Sequence, residues 1–170
     1  NCALSQLGAN RIVGIDLNSD RLQVSPQMGA TDTLHVSSDQ SAVDIANRVQ
    51  KILGGQAPDL VIECVGHREQ VVNLCSAICK QLGTVFFFGV PPKHVADFDL
   101  YTLFWKNQVL YTSVGPDFSI DFPLAMQWIA EGRINVKPIV THRFPLARIQ
   151  EAFETFVDRS DGALKVFIEF

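Results

Sequence analysis

The chain has 170 residues, 47% of them hydrophobic and 19% charged, with a formal net charge of −4. That length suffices for one well-buried α/β domain with at most a small appendage. The acidic balance, without any basic run, argues against a nucleic-acid surface, and no stretch approaches the roughly 20 apolar residues of a membrane span.

Short β-rich runs alternate with helical runs along the chain, the signature of parallel βαβ units. The opening residues NCALSQL predict the last turns of a helix ended by Gly8. RIVGID (11–16) is a strand ending on a carboxylate, and Asn18, Ser19 and Asp20 offer caps for a helix through Val24. Pro26 cuts that helix short. TDTLHV follows Gly29 as a short strand, and 40–53 form an amphipathic helix with Val43, Ala46, Val49, Ile52 and Leu53 on one face.

After the loop GGQAP, DLVIECVG (59–66) is a nearly continuous apolar strand, the pattern of burial on both faces. A helix over 68–80 leads to TVFFFG, a second strand of the same kind, closed by PPK. A short helix through DLYTLFWKN precedes the strand QVLYTSVG, which Gly115-Pro116 breaks. The remainder predicts a helix over 119–131, a strand KPIVTHRF, a helix LARIQEAFETFV and a closing strand ALKVFIEF. Trp105 and Trp128 read as packing residues.

NCALSQLGAN has neither the basic flank nor the apolar core of a signal peptide. Residue 1 is Asn where a native reading frame starts with Met, so a trimmed or incomplete chain is expected. The four cysteines, at 2, 64, 75 and 79, lack the C-x-x-C spacing of a zinc knot. Cys75 and Cys79, four apart in an apolar helix, are expected as buried thiols, and unpaired thiols fit a reducing cytoplasm. His142 near a strand end is read as structural, and no metal ligand or catalytic residue is assigned within the chain.

Three consecutive strand ends carry the chemistry. Asp16 stands where the second strand of a Rossmann unit places an acid against the adenosine ribose, although an Asp there also serves as a helix cap. ECVGH (63–67) and FGVPP (88–92) each bring a glycine to a strand end, where open α/β sheets bind ligands. There the glycine either admits a close backbone approach to a flat ring or simply makes the turn.

The run RIVGIDLNSDRL…MGATDTL, then DLVIECVG, then GTVFFFGVPP and the tail FPLARIQEAFETF…GALKVFIEF together resemble medium-chain dehydrogenases, which include zinc alcohol, polyol and threonine dehydrogenases. The resemblance implies a Rossmann-type doubly wound parallel sheet lacking its first strand. It further implies a partial NAD-binding domain over 1–112 and a segment over 113–170 that returns to the catalytic domain. It gives Asp16 as the ribose-binding acid, Arg21 as the basic residue beside it, and Val65, Gly66 and His67 as the adenosine-side segment. Phe88, Gly89 and Val90 correspond to the strand end whose backbone receives the nicotinamide carboxamide. Leu110 and Tyr111 lie on the strand that completes that pocket and pairs with a second subunit in a homodimer or homotetramer. Lys165 corresponds to a basic residue within reach of the pyrophosphate, or is an exposed strand lysine.

The glycine-rich phosphate loop expected just before NCALSQL is not in the sequence. The family's zinc ligands, like that loop, are expected upstream of residue 1, so truncation is expected at the front only, and the chain alone is expected to be inactive. The implied activity is hydride transfer between a small alcohol or carbonyl substrate and NAD, assisted by zinc held outside this chain. A zinc-free quinone-type reductase, an S-adenosylmethionine-binding module and a non-catalytic Rossmann module remain the alternatives.

Overall fold

The computed structural model describes residues 1–158 and 161–170. In chain order its elements are α1 (Cys2–Gln6), β1 (Val13–Asp16), α2 (Ser19–Val24), β2 (Asp32–His35), α3 (Ala42–Ile52), β3 (Leu60–Glu63) and α4 (Gln70–Ile78). They continue with β4 (Thr84–Phe87), α5 (Leu100–Trp105), β5 (Val109–Thr112), α6 (Asp121–Ala130), β6 (Val140–Pro145), α7 (Ile149–Asp158) and β7 (Lys165–Glu169). Every strand pairing is parallel: β1 with β2, β3 with β4, β4 with β5, and β6 with β7. A final antiparallel strand, which a methyltransferase sheet would show, is not among these pairings.

Contacts divide the chain into two compact units, Asn1–Val36 with Phe118–Phe170, and Ser37–Asp117. In the first, Ile12, Leu22, Ala30, Leu34 and Val36 are buried around the β1–β2 pair. Asn18 starts α2 because its side chain accepts the backbone N–H groups of Asp20 (2.8 Å) and Arg21 (3.2 Å), donors that a helix start otherwise leaves unpaired. Pro26 ends α2 as expected, in a short 3₁₀ turn over Ser25–Met28.

In the second unit β3, β4 and β5 form a sheet with β4 in the centre. Cys75 and Cys79 pack with Val85 over Val61 and Val71, joining α4 to β3 and β4. Ser41 caps α3 by accepting the N–H of Asp44 (3.1 Å); α3 packs along α4, and Ile45 and Val49 of α3 and Val72 of α4 are buried. The strands form three separate sheets, β1–β2, β3–β4–β5 and β6–β7.

Several expectations change. β3 is not covered on both faces: it is an edge strand here, Leu60 is 42% exposed, and only Glu63 of its four residues is buried. Residues 137–139 form a 3₁₀ turn, not strand, since Pro138 has no N–H to give a ladder. Leu146–Arg148 likewise precede α7 as a 3₁₀ turn. Trp105 is not a core residue: it is 61% exposed, its ring against Tyr101 and Phe104. Among the described residues no helix is long and apolar enough to cross a membrane.

Candidate cofactor-binding site

The expected site residues fall in both units. Asp16 is the last residue of β1, with Oδ1 accepting the N–H of Asn18 (2.9 Å) and Oδ2 lying 3.3 Å from the Arg21 guanidinium. The N-cap of α2 is Asn18, so Asp16 is not the helix cap. Arg21 projects from the first turn of α2, 41% exposed, and among the described residues one long contact, to Asp16, holds it. Lys165 opens β7 with its side chain exposed and its carbonyl accepting the Thr141 hydroxyl.

The other candidates share the second unit. Glu63 ends β3 level with Phe87 at the end of β4. Its side chain is 2% exposed, yet it is an acid. Oε1 accepts the N–H groups of Val65 and Gly66, both at 2.7 Å, and Oε2 accepts that of Gly89 at 3.1 Å. Its main-chain carbonyl accepts Phe88 and Gly89 N–H at 3.0 Å, and His67 N–H reaches the Val90 carbonyl at 2.7 Å. Desolvating a carboxylate costs several kcal/mol unless donors replace the water, and here three backbone N–H groups do so.

The two turns touch backbone to backbone. A Cβ on Gly89 would lie 2.5 Å from Gly66 N and from Glu63 Oε2, and one on Gly66 would lie 2.9 Å from the Val90 carbonyl oxygen. Gly66 (φ +67°) and His67 (φ +55°) are both left-handed, a conformation natural to glycine and costly to other residues. The close approach that both glycines allow is therefore between these two turns. Around them Val65, Phe88 and Val90 expose their apolar side chains. On β5, Leu110 and Tyr111 stand level with Val85 and Phe86, and Thr112 stands level with Phe87.

Residues 2–131 match the zinc-binding dehydrogenase family. The chain belongs to that family. Sorbitol dehydrogenase of Rattus norvegicus is 33% identical over 172 residues, an alignment covering 96% of this chain and 43% of the rat enzyme. L-idonate 5-dehydrogenase from Escherichia coli superposes with a TM-score of 0.83 at 26% identity, over 99% of this chain and 45% of that one. An alcohol dehydrogenase from E. coli CFT073, solved with NADH, reaches 0.83 at 17% identity, over 99% of this chain and 48% of that one, a likeness of fold. The chain thus spans about half the length of the curated relatives it matches.

Membership of a dehydrogenase family, with parallel strands throughout, leaves the S-adenosylmethionine alternative without support. The family's name raises zinc, but this chain's side chains do not fit it. Among the described residues no group of three or more His, Cys, Asp or Glu side chains could hold a metal ion. His142 is engaged otherwise, with Nε2 3.1 Å from Asp161 and Nδ1 2.9 Å from the Thr141 hydroxyl. Cys75 lies buried among apolar groups, which pushes its thiol up to about 12, and burial raises Cys79 as well; neither is poised to give a thiolate ligand.

Sequence reasoning missed Glu63, Lys106 and Gln108. Lys106 Nζ donates to the carbonyls of Ser76 (2.9 Å), Ala77 (2.8 Å) and Cys79 (3.0 Å), and Gln108 Nε2 to those of Ser76, Cys79 and Lys80. Together they satisfy the C-terminal end of α4, where cations and donors are favoured. Desolvation lowers the Lys106 ammonium below its ordinary value. A visible signal existed for Glu63, an acid inside an apolar strand. For Lys106 and Gln108 the partners are 27 to 32 residues away in sequence, and no local pattern marks them.

Proposed function

We propose that the protein is an NAD-dependent alcohol or polyol dehydrogenase and that this chain supplies most of its cofactor-binding part. Asp16 carries the reading: an acid at the end of β1, relieved of helix capping by Asn18 and held, among the described residues, by one backbone N–H and a loosely placed arginine. Such a carboxylate has acceptor capacity left for two ribose hydroxyls. Bound NAD would accept the hydride removed from the alcohol carbon. The chain's own residues bind and orient: Asp16 takes the adenosine ribose, and Arg21 flanks it. Val65, Gly66 and His67 line the adenosine side, and Phe88, Gly89 and Val90 meet the carboxamide. Exposed Val65, Phe88 and Val90 side chains give apolar surface that keeps water from a bound ring. Leu110 and Tyr111 complete that side, and Lys165 is the candidate for pyrophosphate contact.

We further propose that residues 1–112 act as the coenzyme domain and 113–170 as the segment joining the catalytic domain. The edge strand β5, exposed along all four residues, pairs with its copy in a dimer or dimer of dimers. Four free cysteines support a cytoplasmic setting. The test is reduced-nicotinamide formation by the whole protein with a panel of polyols and simple alcohols, beside the 170-residue chain alone. Turnover is expected with the whole protein and not with the chain, whose sequence holds no glycine-rich phosphate loop and whose described residues hold no metal cluster. Turnover by the chain alone, or none by the whole protein with any alcohol, contradicts the proposal.

A further inference from the structure

From the hydrogen bonds of its buried carboxylate, we infer that Glu63 is a positioning residue for the dinucleotide, setting which backbone groups the two strand-end turns offer it; this rests on the cofactor reading above. Burying an acid is costly, and an apolar residue would have continued the strand. All three side-chain bonds of Glu63 go to backbone N–H groups of the turns, two after β3 and one after β4. One carboxylate thereby fixes the two turns against each other, at a junction so close that neither Gly66 nor Gly89 has space for a methyl group.

The arrangement also sets polarity. The N–H groups of Val65, Gly66, Phe88 and Gly89 are all consumed by Glu63. Among the described residues the carbonyls of these four positions accept no hydrogen bond. At these four positions the turns keep acceptors and no free donor, which suits groups that donate, ribose hydroxyls and a carboxamide N–H, in preference to a phosphate. A Gln at position 63 would keep its acceptor oxygen where the Val65 and Gly66 N–H groups meet and set its NH₂ against the N–H of Gly89, releasing the turn after β4, on the carboxamide side.

The experiment compares the wild-type whole protein with Glu63→Gln and with Val85→Ala, a core change in β4 that lowers stability without touching the turns. Dissociation constants are measured for NAD and for acetylpyridine adenine dinucleotide, which has no amide N–H, beside thermal midpoints. Glu63→Gln is expected to weaken NAD about three- to tenfold, the worth of one hydrogen bond, with a smaller change for the analogue. Val85→Ala is expected to hold both constants. Hydrogen exchange on the wild type needs no variant: the amides of Val65, Gly66 and Gly89 are expected to exchange slowly. Unchanged NAD affinity in Glu63→Gln, equal losses for NAD and analogue, an equal loss in Val85→Ala, or fast exchange at those amides would overturn the inference. A wild type that binds no dinucleotide would overturn the cofactor reading itself, and the role of Glu63 with it.

Discussion

Replacing Gly89 with alanine tests the junction of the two turns directly. The added Cβ would stand 2.5 Å from both Gly66 N and Glu63 Oε2 and 2.9 Å from Gly66 Cα. Two of these three are backbone atoms that cannot swing aside. Reaching an ordinary contact requires roughly 1 Å of separation between the turns, and over-packing of this kind costs about 1–3 kcal/mol. Each kcal/mol lowers the thermal midpoint by about 2–4 °C in a domain of roughly 150–250 residues, and by less in the longer whole protein. Where bound NAD requires the turns at their close approach, a cost of about 1–3 kcal/mol carried into the complex lowers NAD affinity by roughly five- to a hundredfold. Gly54→Ala is the control: its Cβ meets nothing within 4 Å, and only the φ of +72° opposes it. That change should cost about 1–2 kcal/mol of stability and no affinity. The assay pairs a thermal melt with a calorimetric NAD titration of the whole protein. Wild-type affinity in Gly89→Ala, or an equal loss of affinity in Gly54→Ala, refutes the reasoning.

Leu110→Lys puts a charge on the exposed edge strand β5 and should weaken the proposed dimer; light scattering that finds wild type already monomeric contradicts the assembly. Native protein treated with a thiol reagent near neutral pH should leave Cys75 and Cys79 unmodified, because burial holds both thiols protonated; mass spectrometry reads the sites, and labelling of either without unfolding counts against the packing of α4. Hydrogen bonds and cations hold Asp32, Asp59 and Asp99 below the usual carboxylate range in the folded chain. Their stabilisation is therefore present above the unfolded value, about 3.9, and is lost as pH falls through the lower folded values. The thermal midpoint should hold near neutrality and fall below about pH 4, with Asp32→Asn, which weakens the pair with Arg11, flattening part of that fall.

The alternation of strand and helix was legible because apolar periodicity is local, and the cap at Asn18 stands beside the helix it starts. Strands came out shorter than their apolar runs, since ladder pairing and not hydrophobicity ends a strand: β3 stops at Glu63, whose side chain draws the next residues into a turn. Double burial of β3 was inferred from composition, but burial depends on what lies over a strand. Of the site, the three strand ends were visible as Asp, Gly and Gly. The acid that joins two of them was not, because its meaning lies in Gly89, 26 residues further on.

The most direct measurement is a titration of the whole protein with NAD and NADP, in wild type and in Asp16→Ala. In wild type the carboxylate should accept ribose hydroxyls from NAD, worth about 1.5–3 kcal/mol. It should repel a 2′-phosphate by up to about 4 kcal/mol at 4 Å and an effective dielectric of 20. Arg21, 3.3 Å from Asp16 and 41% exposed, offsets part of that repulsion by meeting the phosphate. The account predicts a preference for NAD on the order of a hundredfold, and a gain for NADP relative to NAD in the variant. Equal affinity for the two cofactors in wild type, or an unchanged ratio in Asp16→Ala, would contradict it.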